Sequence, residues 1–317
     1  METSPKISIV MPLYNSEKFI KSAIESVLLQ SFRDFELILV DDCSTDSTLE
    51  IVSKYDDPRI KIFHQKQNSG ESSSRNLGIE VANGKYIYFM DHDDMILPET
   101  LEIFINAAEE SQAEVVYMNS WLNAKGEIVP QNSDVKVEKN LFRNPVPRFL
   151  SKDPLERLNV EEFGDRMYCT PWIKIQRRDF LMKNQIYFPE TILNGDVLFQ
   201  IAELALGNHM QVIEGCCYVH RLHQDCTMYA SAEIHLRKAT LSMSPALKYI
   251  REVISKADIS EQMRIAIEIR IISLYVVTYI LRSYRGELSL EKIDSILREI
   301  TDSDLTRVLI HAFASQL

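Results

Sequence analysis

The chain has 317 residues, of which 45% are hydrophobic and 26% are charged, and its formal net charge is −11. These proportions are ordinary for a soluble globular protein of one or two domains. The negative charge argues against nucleic acid as the main partner, because phosphate backbones select basic surfaces. Residues 231–317 carry a net charge of +1, which leaves −12 on the first 230 residues.

The cysteine content and the apolar runs indicate a cytoplasmic protein. Neither a disulfide framework nor a zinc site with two CxxC pairs fits the five cysteines, which are Cys43, Cys169, Cys216, Cys217 and Cys226. METSPKISIV, at the start, lacks the charged region and long apolar run of a signal peptide. The run IISLYVVTYIL at 271–281 has 11 residues, so it predicts a buried helix rather than a membrane span.

Strand-like and helix-like segments alternate over the first hundred residues. Apolar runs predict strands at ISIVMPLY, FELILV, RIKIFHQ and KYIYFM. Helical patterns lie between them at NSEKFIKSAIESVLLQ, STDSTLEIVSKY and GESSSRNLGIEVA, with Asn15 or Ser16 as the N-cap of the first. Strands separated by single helices predict an α/β fold with a mostly parallel, doubly wound central sheet.

The pattern is less regular after residue 113. AEVVYMNSWLNAKGEIV predicts a hairpin with Gly126 near its turn, and the polar segment 130–158 predicts a long loop beside the site. Every segment after residue 230 has a helical pattern. We therefore predict an α/β domain at 1–230, with halves at 1–100 and 101–230, and an all-helical region at 231–317.

Three of the predicted strands have segments with polar residues at their carboxyl ends. These segments are Pro12-Leu13-Tyr14-Asn15, Asp41-Asp42 and Asp91-His92-Asp93-Asp94. Ligands of open α/β sheets bind beyond the carboxyl ends of the strands. These three segments are therefore expected to converge on one crevice.

The segment DHDD at 91–94 brings three carboxylates together at the end of a buried strand. Such crowding costs electrostatic energy unless a cation or hydrogen bonds compensate for it. Asp91 and Asp93 would offer oxygen ligands to Mg²⁺ or Mn²⁺, with water or a diphosphate completing the coordination shell. The alternative is a solvated acidic turn that caps the next helix.

The order and spacing of these motifs resemble glycosyltransferase family 2 from about residue 7 to residue 228. The first half of the resemblance rests on ISIVMPLYNSEKF, LVDDCSTDST and NSGESSSRNLGIEVANGKYIYFMDHDD. TPWIKIQRRDF, ILNGDVLF and YVHRLHQDCTM extend it. It implies a GT-A fold and an enzyme that moves a sugar from a nucleotide-sugar, here a UDP-sugar, with inversion at the anomeric carbon.

The resemblance also implies roles on the nucleotide side. Pro12, Tyr14 and Asn15 would pack against the base and ribose. Asp42 would accept a hydrogen bond from the uracil edge, and Asp41 would be structural. For Tyr14, the alternative is an aromatic side chain of the core.

Five residues are implied at the diphosphate. Asp93 would bind the metal directly, Asp91 would bind ribose or water held by the metal, and His223 would be a further metal ligand. Arg75 and Arg221 would contact the diphosphate, although a surface salt bridge remains the alternative for Arg75.

The implied catalytic base is Asp196, which would take the proton of the acceptor hydroxyl. The family has a Glu-Asp pair at this position, whereas this chain has Gly195-Asp196. The alternative for Asp196 is a cap of the helix VLFQIAELAL. Trp172 would either stack on an acceptor sugar or fill the core.

Other functions are less consistent with the sequence. A sugar nucleotidylyltransferase needs a glycine-rich loop after its first strand, and a dehydrogenase needs GxGxxG, and neither is present. A non-catalytic nucleotide-sugar-binding module stays open because of Gly195. The acceptor would be a saccharide or lipid-linked hydroxyl, as in bacterial surface polysaccharide synthesis.

Residues 231–317 would pack on the first domain, form a homodimer or contact the inner face of the membrane.

Overall fold

The computed structural model describes residues 4–125, 137–141, 149–157, 170–190 and 195–223, parts of 245–268, and residue 295. The chain divides into two compact units. The first comprises Met1–Glu190 and Gly195–His223, and the second comprises Thr191–Asn194 and Gln224–Leu317.

Four parallel strands form one half of the sheet of the first unit, in the order β3-β2-β1-β4. They are β1 (Ile7–Leu13), β2 (Phe35–Asp41), β3 (Ile60–His64) and β4 (Tyr86–Phe89). Three helices connect them, namely α1 (Ile20–Leu28), α2 (Thr48–Val52) and α3 (Glu71–Val81). Every residue of β1, β2 and β4 is buried, as their continuous apolar sequences predict.

The other half of the sheet is mixed and continues in the order β8-β6-β9-β5, with β7 paired to β6. Its strands are β5 (Met95–Ile96), β6 (Val115–Lys125), β7 (Val137–Leu141), β8 (Lys174–Arg177) and β9 (Met210–Leu222). Its helices are α4 (Thr100–Ser111), α5 (Pro154–Arg157), α6 (Arg178–Asn184) and α7 (Gly195–Leu206). Strands β6 and β9 are parallel, whereas β8 is antiparallel to both β4 and β6. The predicted α/β class with a parallel first half is confirmed.

Helix α1 begins at Ile20, so the prediction that Asn15 or Ser16 caps it is wrong. Asn15 instead has a left-handed backbone (φ 49°), and its side-chain oxygen accepts a hydrogen bond from the Thr45 N–H at 2.9 Å. The Ser16 N–H donates to the Thr48 hydroxyl at 2.7 Å. These contacts join the loops after β1 and β2, and they delay the start of the helix.

The segment 130–158 is not the uninterrupted loop that its polarity predicts. Val137–Leu141 pairs antiparallel to β6, and Pro154–Arg157 is helical. Strand β6 forms most of the segment 113–129 that was predicted to be a hairpin, and Gly126 and the residues after it in that segment lie outside the described residues. Strand β7 begins beyond this segment, within the predicted loop. An outer strand needs only one partner, so its sequence can stay polar and resemble a loop.

Most of the helices predicted after residue 230 lie outside the described residues. The described part of the second unit contains helical residues between 245 and 268, with Ile250, Val253 and Ile254 buried. There the Arg264 guanidinium donates to the carbonyls of Ile254 and Ala257 at 2.7 and 2.8 Å. Among the described residues, no helix has the length and apolar character needed to cross a membrane.

Candidate active site

The carboxyl ends of β1, β2 and β4 lie side by side, and the polar residues that follow them meet there. After β2, the Asp42 N–H donates to the Leu13 carbonyl of β1 at 2.8 Å. After β4, His92 Nδ1 lies 3.3 Å from the Pro12 carbonyl oxygen of β1. The three strand ends therefore form one edge of a site.

Asp91, Asp93 and Asp94 follow β4, and each offers an oxygen within 4.8 Å of those of the other two. Asp94 is fully buried and accepts hydrogen bonds from the Tyr218 hydroxyl and the Arg221 N–H, both at 2.7 Å. Burial, and then the charges of Asp93 and Asp91, raise the pKa of Asp94 well above its ordinary value. Asp94 thus joins residues 91–94, the acidic segment, to β9.

Tyr218 supports the acidic segment from below. Its hydroxyl accepts a hydrogen bond from the Asp91 N–H at 3.3 Å while it donates to Asp94. The indole of Trp172 stacks on the Tyr218 ring, with centroids 4.1 Å apart and an angle of 8° between the planes, and it meets Trp121 edge-on. Trp172 is only 6% exposed, so it lies in the core beneath the site.

Asp93 is the carboxylate of this segment that meets His223. His223 Nε2 lies 2.9 Å from Asp93 Oδ2, and the imidazole packs against the Phe19 ring with centroids 4.7 Å apart. Burial pushes the pKa of Asp93 up, but the charge of His92 and the hydrogen bond with His223 lower it overall. Asp93 therefore stays ionised.

Arg75 brings a buried positive charge to the carboxylates. Its side chain is 6% exposed, and Nη2 donates to Asp91 Oδ1 at 2.8 Å and to Glu71 Oε1. Burial alone would lower its pKa, but the charges of Glu71, Asp91 and Asp196 raise it. A surface salt bridge is thus the wrong description of Arg75, because the guanidinium is enclosed and faces three acidic groups.

Glu71, the first residue of α3, is an acidic group of the site that the sequence reasoning did not single out. Loss of hydration among its neighbours raises the pKa of Glu71 to about 7; the charge of Arg75 opposes this shift, and those of Asp91, Asp196 and Asp93 add to it. Its side chain is still 55% exposed, so solvent screens part of the repulsion.

Asp196 lies in the first turn of α7 and faces the same group of charges. Its Oδ1 accepts a hydrogen bond from the Val197 N–H at 2.9 Å. The pKa of Asp196 is raised above its ordinary value, because burial and the charge of Asp91 raise it. The charge of Arg75 and the hydrogen bond from Val197 oppose this shift without cancelling it. The structure therefore brings Asp196, Arg75 and Asp91 into one electrostatic neighbourhood.

The residues expected at the nucleotide differ in accessibility. Tyr14 is 46% exposed, so it is not an aromatic side chain of the core. Asp42 is buried, and its two carboxylate oxygens accept hydrogen bonds from the N–H groups of Ser69 and Gly70 at 2.8 and 2.7 Å. Asp41 accepts a hydrogen bond from the Ser44 N–H at 3.2 Å.

Arg221 lies next to the acidic segment, since its backbone N–H donates to Asp94. Its guanidinium lies 4.8 Å above the Phe19 ring and donates to the Ser22 hydroxyl at 2.9 Å. The residue is 4% exposed. To contact a diphosphate, the guanidinium would have to leave these partners on the α1 side.

The family follows from a comparison with known proteins. The model of the family "Glycosyl transferase family 2" matches residues 8–184, which is more than half of the chain. The chain belongs to glycosyltransferase family 2.

Curated relatives of this glycosyltransferase family 2 chain come from several bacteria. Poly(ribitol-phosphate) β-N-acetylglucosaminyltransferase TarS of Staphylococcus aureus is 31% identical over 236 residues, which cover 72% of this chain and 38% of TarS. Succinoglycan biosynthesis protein ExoO of Rhizobium meliloti is 30% identical over 222 residues, which cover 69% of this chain and 62% of ExoO. The chain therefore spans less than two thirds of the length of either relative.

A solved structure supports the GT-A fold. S. aureus TarS 1-349 in complex with UDP-GlcNAc superimposes with a TM-score of 0.67 and 26% identity. The match covers 98% of this chain and 87% of that one. The predicted fold family is confirmed.

The sequence reasoning missed Tyr218 and Lys174 as well as Glu71. Lys174 is fully buried on β8 and bonds to Glu203 Oε2 of α7 at 2.5 Å and to Gln200. The segment TPWIKIQRRDF, which contains Lys174, resembles the family, but a single sequence does not show whether a lysine is buried. Glu71 left a weak signal, since it stands directly after Gly70 at the start of a helix that also carries Arg75.

Proposed function

We propose that the chain is an inverting glycosyltransferase that moves a sugar from a UDP-sugar to a hydroxyl group of a saccharide or lipid-linked acceptor. We place this activity in bacterial surface polysaccharide synthesis. One observation carries the proposal, namely the convergence of Asp91, Asp93, Arg75 and Asp196 at the carboxyl edge of a family 2 sheet. The similarity to a TarS structure that contains UDP-GlcNAc supports the choice of donor.

Asp93, Asp91 and His223 would hold a divalent cation, Mn²⁺ or Mg²⁺. Two carboxylates and an imidazole suit Mn²⁺, and the carboxylates alone suit Mg²⁺. His223 Nδ1 is buried without a hydrogen-bond partner among the described residues, so packing on Phe19, and not a second hydrogen bond, orients the ring. When bound, such an ion neutralises the diphosphate and makes UDP a better leaving group.

The nucleotide would bind beside this group. The exposed ring of Tyr14 offers a stacking face for the base. Pro12 near the end of β1 and Asn15 in the loop after it would lie beside the ribose. Asp42 is held by two backbone N–H groups, and each of its oxygens has a second lone pair for the uracil N–H. Arg75 would face the diphosphate, while Arg221 and Trp172 support the acidic segment.

Asp196 would be the base of the transfer. The acceptor hydroxyl gives its proton to the Asp196 carboxylate, and its oxygen forms a bond to the anomeric carbon from the face opposite UDP. The bond from that carbon to the β-phosphate oxygen breaks, and its electron pair leaves on UDP. The raised pKa of Asp196 suits this role, because a weaker acid is a stronger base.

A nucleotide-sugar-binding module without turnover is the second candidate. It is favoured by Gly195, which stands where the family has a glutamate beside the base. Such a module would bind UDP and its sugars without cleaving them.

Release of UDP from UDP-GlcNAc, UDP-glucose and UDP-galactose distinguishes the two candidates, because water can serve as the acceptor. We expect slow release by the wild type and a loss of about 100-fold or more in Asp196→Asn, with UDP affinity unchanged. Asp179→Asn is the matched control, since Asp179 is the second residue of α6, as Asp196 is of α7, and is 66% exposed. UDP binding without release from any of the three sugars would favour the module.

A further inference from the structure

Two helices begin next to one another at the site. A Cβ atom added to Gly195, at the start of α7, would lie 2.7 Å from Ser72 Oγ in the first turn of α3. The Gly195 backbone is not left-handed, so space rather than conformation limits the residue at this position. Glu71 precedes Ser72 and Asp196 follows Gly195, and the two carboxylates are near enough for the charge of Asp196 to act on Glu71.

Glu71 has the contacts of a site residue. Arg75 Nη2 bridges Glu71 and Asp91, so the two carboxylates share one buried guanidinium. The charges of Asp91, Asp93 and Asp196 all act on Glu71. These three negative charges repel the Glu71 carboxylate, and the Arg75 guanidinium holds it among them. More than half of the Glu71 side chain is open to solvent. The carboxylate is therefore accessible to a ligand and held by a cation.

We infer that Glu71 supplies, from α3, the second acidic group of the acceptor site, which Gly195 does not provide from α7. The inference rests on the proposed function. Asp196 takes the proton of the attacking hydroxyl, and Glu71 accepts a hydrogen bond from a neighbouring hydroxyl of the acceptor. The preferred acceptor is accordingly a sugar or polyol with two adjacent hydroxyl groups. Water meets the same requirement with its two hydrogen atoms.

The first test compares Glu71→Gln with the wild type for UDP release from the three UDP-sugars in water and in glycerol solutions. We expect release to fall at least tenfold while the Kd of UDP, measured by calorimetry, changes less than threefold. Glu80→Gln is the matched control, because Glu80 is an exposed residue of the same helix. It should leave both quantities unchanged.

The second test moves the carboxylate to the other helix. Gly195→Glu is combined with Ser72→Ala, which removes the atom that a Cβ would strike. In the Glu71→Gln background this pair should restore at least a third of the lost rate, whereas Ser72→Ala alone should restore nothing. Rescue would separate a chemical role from a structural one, because the relocated carboxylate does not rebuild the Glu71–Arg75 pair of α3.

Several results would overturn the inference. Release by Glu71→Gln within threefold of the wild type would show that Glu71 has no acceptor role. A Kd for UDP that rises as much as the rate falls would assign Glu71 to the donor through Arg75, and failure of the relocated carboxylate to rescue would also contradict us. A wild type that releases no UDP refutes the proposed function itself, whereas normal release by Glu71→Gln together with inactive Asp196→Asn refutes this inference alone.

Discussion

The two halves of the sheet contribute to the site in different ways. In the parallel half, Asp42 follows β2 directly and Asp91 follows β4 after Met90, so the strand ends themselves place these side chains at the site. In the mixed half, Tyr218 and Lys174 lie within strands and are buried, and they act on other protein groups. One half places polar groups at the site, and the other holds them in place.

The largest effect that we predict tests the buried support. Lys174→Met leaves the carboxylate of Glu203 buried without its cation, which costs about 3–5 kcal/mol. The double variant Lys174→Met/Glu203→Leu should recover most of this loss, because it removes both charges. Denaturant unfolding measures both changes. Lys54→Met, which breaks an exposed ion pair with Glu50, is the control and should leave the free energy of unfolding almost unchanged.

An unchanged stability in Lys174→Met would mean that the mixed half does not depend on its buried ion pair. The comparison between the halves would then lose its main support.

A smaller effect is expected at Tyr218, where the two halves meet. Tyr218→Phe leaves Asp94 Oδ2 and the Asp91 N–H without this partner, at a cost of about 1–3 kcal/mol. Because the acidic segment loses its support, Mn²⁺ affinity should fall as well. Thermal unfolding and calorimetry with Mn²⁺ measure the two effects. Tyr55→Phe, whose hydroxyl makes only a 3.5 Å exposed contact, is the control.

Loss of stability with unchanged Mn²⁺ affinity would contradict the link from Tyr218 to the acidic segment.

The smallest effect concerns the parallel half away from the site. Glu36 is buried and accepts hydrogen bonds from the Ser8 hydroxyl at 2.5 Å, the Asn83 N–H at 2.7 Å and Lys61 Nζ at 2.6 Å. Burial raises the pKa of Glu36, but these bonds lower it overall from 4.5. The ionised form thus stabilises the fold above pH 4.5, and this contribution is lost as the pH falls through the lowered pKa.

Glu36→Gln should therefore lower the melting temperature at pH 7 and should approach the wild type as the pH falls below about 4.5. UDP binding should not change, because Glu36 lies at the other end of β2 from Asp42. A pH-independent difference would assign the effect to packing, and weaker UDP binding would show that the two ends of the sheet are coupled.

The sequence predicted the parallel half well for a physical reason. Strands buried on both faces give continuous apolar runs, and polar residues follow their ends, with Asn15 after β1, Asp42 after β2 and Asp91 after β4. Local pattern therefore places both the strand and the polar residue that follows it. The helix start at Ile20 was misplaced because contacts from the next loop, with Ser44, Thr45 and Thr48, hold the chain before it.

The mixed half was less predictable because its pairings are distant along the chain. Tyr218 meets Asp94 across 124 residues, and Lys174 meets Glu203 across 29. A tyrosine or a lysine in a strand pattern does not reveal such partners. The polar sequence of β7 also hid a strand, since pairing with β6 alone does not require apolar residues on both faces.

The central claim is that the acidic segment after β4 is a binding site for a cation and a diphosphate. Calorimetric titration with UDP tests this claim most directly. The titration is done with and without Mn²⁺ for the wild type, Asp93→Ala and the control Asp179→Ala. We predict binding that depends on Mn²⁺ in the wild type and the control, and a loss of that dependence in Asp93→Ala. Equal UDP binding by all three proteins without Mn²⁺, or no binding by the wild type, would contradict the claim.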